Sequence, residues 1–242
     1  MTEIIAHRGD SAHAPENTLR AFHQAIDAGC DRIELDVQIS ADGVPFVFHD
    51  FQLERLTGAR GVARERSCSD LEALQVLAGD FGIHADSCIP RLTTVLEQIG
   101  TRCPLYVEIK VDRVDATTRQ LVGRCVEQVA PPHVLASFDL EVVRLCVETD
   151  RPTVWITADP SSLQRIDPGL QTRLHAVSAL HTKIDRGFVS YCEEIGLPLW
   201  CWTLDAPADF DRLRRLGADT AWCTNDPRAL SDWLNHREDG VS

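Results

Sequence analysis

At 242 residues, with 44% apolar and 25% charged side chains, the chain has the profile of a folded globular protein with room for one large core. Its 24 Lys and Arg against 37 Asp and Glu leave a formal charge of -13, which argues against broad binding to nucleic acid or to an anionic membrane surface. No apolar run nears the ~20 residues that span a bilayer, and the opening MTEIIAHRGD lacks the basic start and apolar core of a signal peptide, so a cytoplasmic location is expected. The nine cysteines show no C-x-x-C spacing and read as reduced, mostly buried small hydrophobes.

Strand-like apolar runs alternate with helix-like segments from end to end, the pattern of a parallel sheet covered by helices. The strand runs are Ile4–His7, Arg32–Gln38, Val44–His49, Leu105–Lys110, Val134–Phe138, Thr153–Thr157, Leu174–Ala179, Leu199–Leu204 and Thr220–Thr224. A first helix is expected over Glu16–Ala28, with Leu19, Phe22 and Ile26 on one face and Gly29 as its stop. Others are expected over Asp115–Val129, Leu140–Glu148, Asp185–Ile195, Ala206–Leu216 and Pro227–Asn235. The nine strand runs are one more than a TIM (β/α)8 barrel holds, although the chain length suits that fold.

Ser40-Ala41-Asp42-Gly43 resolves the surplus. An Asp-Gly between apolar runs signals a tight hairpin, and a parallel crossover does not fit in so few residues. Val44–His49 then returns antiparallel over the end of the Glu34 strand and carries His49 back toward Asp36. Between Phe51 and Pro90 the periodicity lapses, with Gly58, Gly61, Gly79 and Gly82 and one modest helix around Leu71–Leu77. The expected architecture is therefore a single α/β barrel domain, residues 1–242, with 51–90 inserted over its mouth as a lid or substrate-shaping cap.

In such barrels the C-terminal ends of the strands carry the chemistry. His7 and Arg8 end the first strand, Glu34 and Asp36 share a face of the second, and Glu108 and Lys110 share a face of the third parallel strand. Neighbouring carboxylates repel unless a cation lies between them, and oxygen ligands without cysteine favour a hard divalent ion, Mg²⁺ or Ca²⁺. Arg8 and Lys110 supply positive charge for a phosphate-bearing anion, and His7 and His49 move protons near neutral pH. Singly, each residue reads as a structural hydrogen-bonding group or a solvated rim charge; their convergence is what points to a site. Glu16 reads equally as support for that site or as an acid favoured by a helix N-terminus. His13 lies in a loop where it could touch substrate; His23 and His236 read as helix-surface residues. Trp155, Trp200, Trp222 and Trp233 read as packing residues.

The set His7-Arg8-Gly9, Pro15-Glu16-Asn17-Thr18, Glu34-Leu35-Asp36, His49-Asp50, Glu108-Ile109-Lys110, Ser137-Phe138 and Trp202-Thr203 closely resembles the glycerophosphodiester phosphodiesterase family, in its bacterial cytoplasmic type. The likeness keeps order and spacing from Ile5 to Thr224-Asn225-Asp226-Pro227. It implies a TIM barrel with a small insertion after the His-Asp motif, and metal-dependent hydrolysis of small glycerophosphodiesters to sn-glycerol 3-phosphate and an alcohol. The resemblance further implies metal binding by Glu34, Asp36 and Glu108, acid/base catalysis by His7 and His49, phosphate binding by Arg8 and Lys110, and a pocket wall at Trp202. Which histidine is the acid, and whether water or the glycerol 2-hydroxyl attacks phosphorus, stay open at this point.

Two departures from the family pattern stand out. Trp202-Thr203-Leu204-Asp205 replaces the common Trp-Thr-Val-Asn, and the last strand, Ala221-Trp222-Cys223-Thr224, is bulkier than usual. Both are expected to bear on pocket shape and head-group preference. Two rivals are a lysophospholipase D or sphingomyelinase D-like phosphodiesterase on the same barrel, and a non-catalytic barrel that binds phosphodiesters.

Overall fold

The computed structural model describes residues 2–77 and 86–238; Gly79, Gly82 and their neighbours in the inserted segment lie outside the described residues. The strands are β1 (Glu3–Ala6), β2 (Arg32–Ile39), β3 (Pro45–Val47), β4 (Leu105–Ile109), β5 (Val134–Ser137), β6 (Thr153–Thr157), β7 (Ala176–Leu180), β8 (Leu199–Trp202) and β9 (Ala221–Thr224). They pair in the order β1-β9-β8-β7-β6-β5-β4-β2-β3, and a further pairing of β1 with β2 closes eight parallel strands into a barrel. The protein is a TIM barrel. β3 is the one antiparallel member, pairing Val37 with Val47 and Ile39 with Pro45. Its turn uses Gly43 at φ 77, a left-handed backbone, so the surplus strand is the expected hairpin.

The two-residue period of the strands sorts the side chains. Ile5, Tyr106, Ala136, Ile156, Trp200 and Cys223 fill the barrel interior. The alternate residues, such as Leu35, Val37, Val107 and Val177, pack outward against the helices. Trp222 belongs to this outer layer: it stacks on Phe210 at 5.7 Å between ring centroids and donates its indole N–H to the Ala218 carbonyl at 2.7 Å. Its bulk therefore does not narrow the pocket, which corrects the expectation for the last strand.

The first helix covers Leu19–Asp27 and starts three residues later than expected, because Asn17 sits at φ 59 and Thr18 caps the helix by accepting the Ala21 N–H. In the inserted segment the helix forms at Cys68–Glu72, where Ser67 caps it, and not at Leu71–Leu77. A helical segment at Leu92–Gly100 was not expected, since its paired threonines weaken the sequence signal. Leu53, Leu56, Ala63, Leu71, Val76 and Ile89 form a small core with Phe46 of β3 and Phe48 just after it. The inserted segment is thus anchored to the piece of chain that delivers His49. Among the described residues, no helix is long and apolar enough to cross a membrane.

Candidate active site

Glu34 and Asp36 face the lumen from β2, and the strand register sets Asp36 beside Glu108 on β4. Their carboxylate oxygens lie within 4.8 Å of one another, and all three residues are buried. Burial, then Asp36 and Glu108, push the Glu34 carboxyl well above its ordinary range. Burial and then Asp36 push Glu108 up to about 7. Burial would also raise Asp36, but Arg8 and Lys110 outweigh it and hold that carboxyl below its usual value. Arg8 Nε lies 3.2 Å from Asp36 Oδ2, and Lys110 Nζ lies 2.8 Å from Glu108 Oε1 and 3.6 Å from Asp36 Oδ1. Asp36 is the acid that both cations reach, and burial with like-charge pressure still raises Glu34 and Glu108.

Three buried oxygen donors with residual repulsion fit a hard divalent cation. One consequence is measurable. Because Glu108, pushed up to about 7, holds a proton near pH 6 in the cation-free protein, loading Mg²⁺ or Ca²⁺ is expected to release about one proton there. Calorimetry in buffers of different ionisation heat reads this number, and a release of zero would contradict a protonated Glu108.

Two strained backbone positions hold the acids in place. Arg8 sits at φ 57 and donates its backbone N–H to Glu34 Oε2 at 2.9 Å. Gly9 follows at φ 83, where an added Cβ would lie 2.6 Å from the Ala21 carbonyl carbon, so helix and turn approach too closely for any other residue. Asn17 donates its amide to Asp36 Oδ2 at 2.8 Å and accepts the Asp36 N–H at 3.2 Å. Glu16 lies outside the helix and binds Arg8 at 2.8 Å, so the helix-dipole reading of this acid does not hold.

Each histidine has its Nδ1 committed. His7 Nδ1 is 2.7 Å from Asn225 Oδ1, an acceptor that also receives the Ser11 hydroxyl, so Nδ1 carries the proton and Nε2 keeps its lone pair. Burial and then Arg8 lower His7 to about 4, and the ring is neutral at physiological pH. His49 Nδ1 is 2.6 Å from Asp50 Oδ1. The hydrogen bonds from Arg55 hold Asp50 down to about 2, so Asp50 is an ionised acceptor and His49 also leaves Nε2 for a ligand. Gln38, the next lumen-facing residue of β2, donates to the Phe48 and Asp50 carbonyls at 2.8 and 2.9 Å and pins the chain on both sides of His49.

His7, Arg8, Glu34, His49, Glu108 and Lys110 line one cavity of about 220 Å³ with Tyr106, Phe138, Ile156, Ser178, Trp202 and Cys223. Trp202 donates its indole N–H to the Ser178 carbonyl at 3.1 Å and meets Phe138 edge-on at 5.4 Å. The sequence model described as the Glycerophosphoryl diester phosphodiesterase family matches residues 7–229.

The chain belongs to this family.

A glycerophosphodiester phosphodiesterase of Caldanaerobacter subterraneus subsp. tengcongensis is 30% identical over 95% of this chain and 96% of its own length. Among solved structures, a phosphodiesterase of Oleispira antarctica in complex with the product sn-glycerol-3-phosphate superposes with a TM-score of 0.84 at 23% identity, covering 96% of each chain. A glycerophosphodiester phosphodiesterase of Agrobacterium tumefaciens gives 0.72 at 26% identity, over 94% of this chain and 98% of its own. Glycerophosphoryl diester phosphodiesterases hydrolyse glycerophosphodiesters, and this chain is an enzyme of that kind.

In this glycerophosphoryl diester phosphodiesterase the eight residues singled out from sequence come together: seven line the cavity and Asp36 lies against Glu34 and Glu108. His13 does not line it; its ring is held by Asp10 at 2.8 Å and is 54% exposed. Asp205 does not line it either. Its carboxylate receives the Asn225 amide at 2.6 Å and the Asn225 backbone N–H at 2.8 Å, so the exchange of amide for acid acts on the partner of His7 and not on the pocket wall. Sequence reasoning passed over Asn17, Gln38, Asp50 and Asn225 as site residues, although three of them lie inside quoted motifs. Gln38 has a signal too: it is two residues beyond Asp36 on the same strand face.

Proposed function

We propose that the chain hydrolyses glycerophosphodiesters to sn-glycerol 3-phosphate and an alcohol, with a divalent cation, Mg²⁺ or Ca²⁺, at Glu34, Asp36 and Glu108. The observation that carries this reading is the single cavity in which two histidines, each with Nδ1 committed, face a buried carboxylate cluster and two cations. The substrate phosphate binds Arg8 and Lys110, and Trp202 with Phe138 packs against the glycerol side. The product in the Oleispira antarctica neighbour is consistent with that ligand class.

His7 is neutral with a free Nε2, so it accepts the proton of the attacking hydroxyl or water. His49 faces the ionised Asp50, which balances the positive ring, so His49 gives its proton to the leaving alkoxide as the phosphorus–oxygen bond breaks. When bound, the cation supplies Lewis-acid stabilisation of the charge that develops on the phosphate oxygens.

The experiment is a substrate panel read as released choline or ethanolamine, with glycerol 3-phosphate checked as the second product of the two glycerophosphodiesters, run with glycerophosphocholine, glycerophosphoethanolamine and lysophosphatidylcholine in the presence of Mg²⁺ or Ca²⁺. Turnover of the first two is expected to exceed that of the lysophospholipid. Release from none of them would sink the proposal, and a preference for lysophosphatidylcholine would favour the lysophospholipase D rival.

A further inference from the structure

Arg55 lies in the inserted segment and does not line the cavity, yet it makes four contacts to two acids beside the site. Its Nε is 2.6 Å from Asp50 Oδ2 and its Nη2 is 2.8 Å from Asp50 Oδ1, a forked pair on one carboxylate. Its Nη1 and Nη2 also reach Glu16 Oε2 and Oε1, each at 3.1 Å. Glu16 in turn holds Arg8 at 2.8 Å, and Asp50 holds His49 at 2.6 Å. Arg55 is therefore the joint between the phosphate-side arginine and the histidine carboxylate.

A stability role does not explain this arrangement. The Arg55 side chain is 51% exposed, so solvent screens its ion pairs and reduces what they add to stability. The backbone, by contrast, is fixed: Leu53 and Leu56, on either side, are buried in the small core that also holds Phe46 and Phe48. A side chain of such entropy is held in one geometry by a rigid base and by two carboxylates that it cross-links.

We propose that Arg55 is a positioning residue for general acid catalysis: it locks the Asp50 carboxylate in the orientation that fixes the His49 ring. The inserted segment then serves the reaction by carrying this arginine. The inference rests on the role of His49 given above.

The test compares two substrates. Glycerophosphocholine releases a poor leaving group that needs a proton, whereas the p-nitrophenyl ester of glycerol phosphate releases a phenolate that does not. Arg55→Gln is expected to lower kcat on glycerophosphocholine about 10- to 100-fold with little change in KM, and to stay within about 3-fold of the parent on the p-nitrophenyl ester. Arg55→Lys keeps the charge but loses the fork, and is expected to fall between the two.

An equal loss of kcat on both substrates would overturn the role, because it would mean general damage to the site. Retention of parental kcat on both would overturn it as well. A His49→Asn protein with parental turnover of glycerophosphocholine would instead sink the reading of His49, and Arg55 with it. A dead His49→Asn beside a fully active Arg55→Gln would sink the Arg55 role alone.

Discussion

Glu34→Gln and Glu108→Gln are each expected to remove most turnover, and Glu108→Gln is expected nonetheless to make the cation-free protein more stable than the parent at pH 8. Burial and then neighbouring acids raise both carboxyls, Glu108 to about 7 from an ordinary 4.5. A group whose folded pKa is raised binds more protons folded than unfolded, so its stabilising contribution is complete below about 4.5 and is lost as pH rises through 7. At pH 8 the parent holds an ionised Glu108 against Asp36, whereas the neutral amide does not. The gain is on the order of 1–2 kcal/mol, or about 2–8 °C in Tm for a chain of this size.

Scanning calorimetry of chelator-treated protein reads the effect, which should vanish at pH 4. Adding Mg²⁺ or Ca²⁺ should reverse the order, since only the parent gains a ligand. Turnover should fall by roughly 10³-fold or more, the scale of lost charge stabilisation at a phosphoryl centre. An amide variant less stable than the parent at pH 8 would show instead that the ion pairs with Arg8 and Lys110 dominate this cluster.

The histidines should separate by leaving group. His7→Asn and His49→Asn are each expected to lower kcat on glycerophosphocholine by about 10² to 10⁴. On the p-nitrophenyl ester, His49→Asn should recover most of its activity because the leaving group no longer needs a proton. His7→Asn should not recover, because deprotonation of the nucleophile is still required. The assignment follows from the neutral, buried His7 with Nδ1 locked on Asn225, against the Asp50 carboxylate behind His49. Recovery of His7→Asn with His49→Asn still inactive would reverse the two roles.

The barrel was legible because its signals are local. Apolar strands recur at regular spacing, and Asp42-Gly43 marks the one connection too short for a crossover, which sets β3 antiparallel. The eight cavity and carboxylate residues were legible because they sit at strand ends or inside motifs. The residues that orient them were harder to read, since their work depends on contacts distant in sequence: His7 and Asn225 are 218 positions apart, and Arg55 reaches 39 positions back to Glu16. Nothing in a periodicity argument singles out a surface arginine in an irregular segment.

Asn17 shows a different limit. Its amide is recruited by Asp36 at the expense of the helix, so the local helical signal that includes Glu16 fails for a tertiary reason. Trp222 shows a third: bulk in a strand informs pocket shape only once the facing of that strand is known, and Trp222 faces the helices.

One cation is expected among Glu34, Asp36 and Glu108, beside the cavity that His7 and His49 line. The most direct measurement is a crystal soaked with Mn²⁺ and glycerol 3-phosphate, with diffraction recorded at a wavelength where manganese scatters anomalously. The expected result is one anomalous peak among the three carboxylates, with the phosphate density beside Arg8 and Lys110. An anomalous peak elsewhere, with these carboxylates still paired only to Arg8 and Lys110, would contradict it.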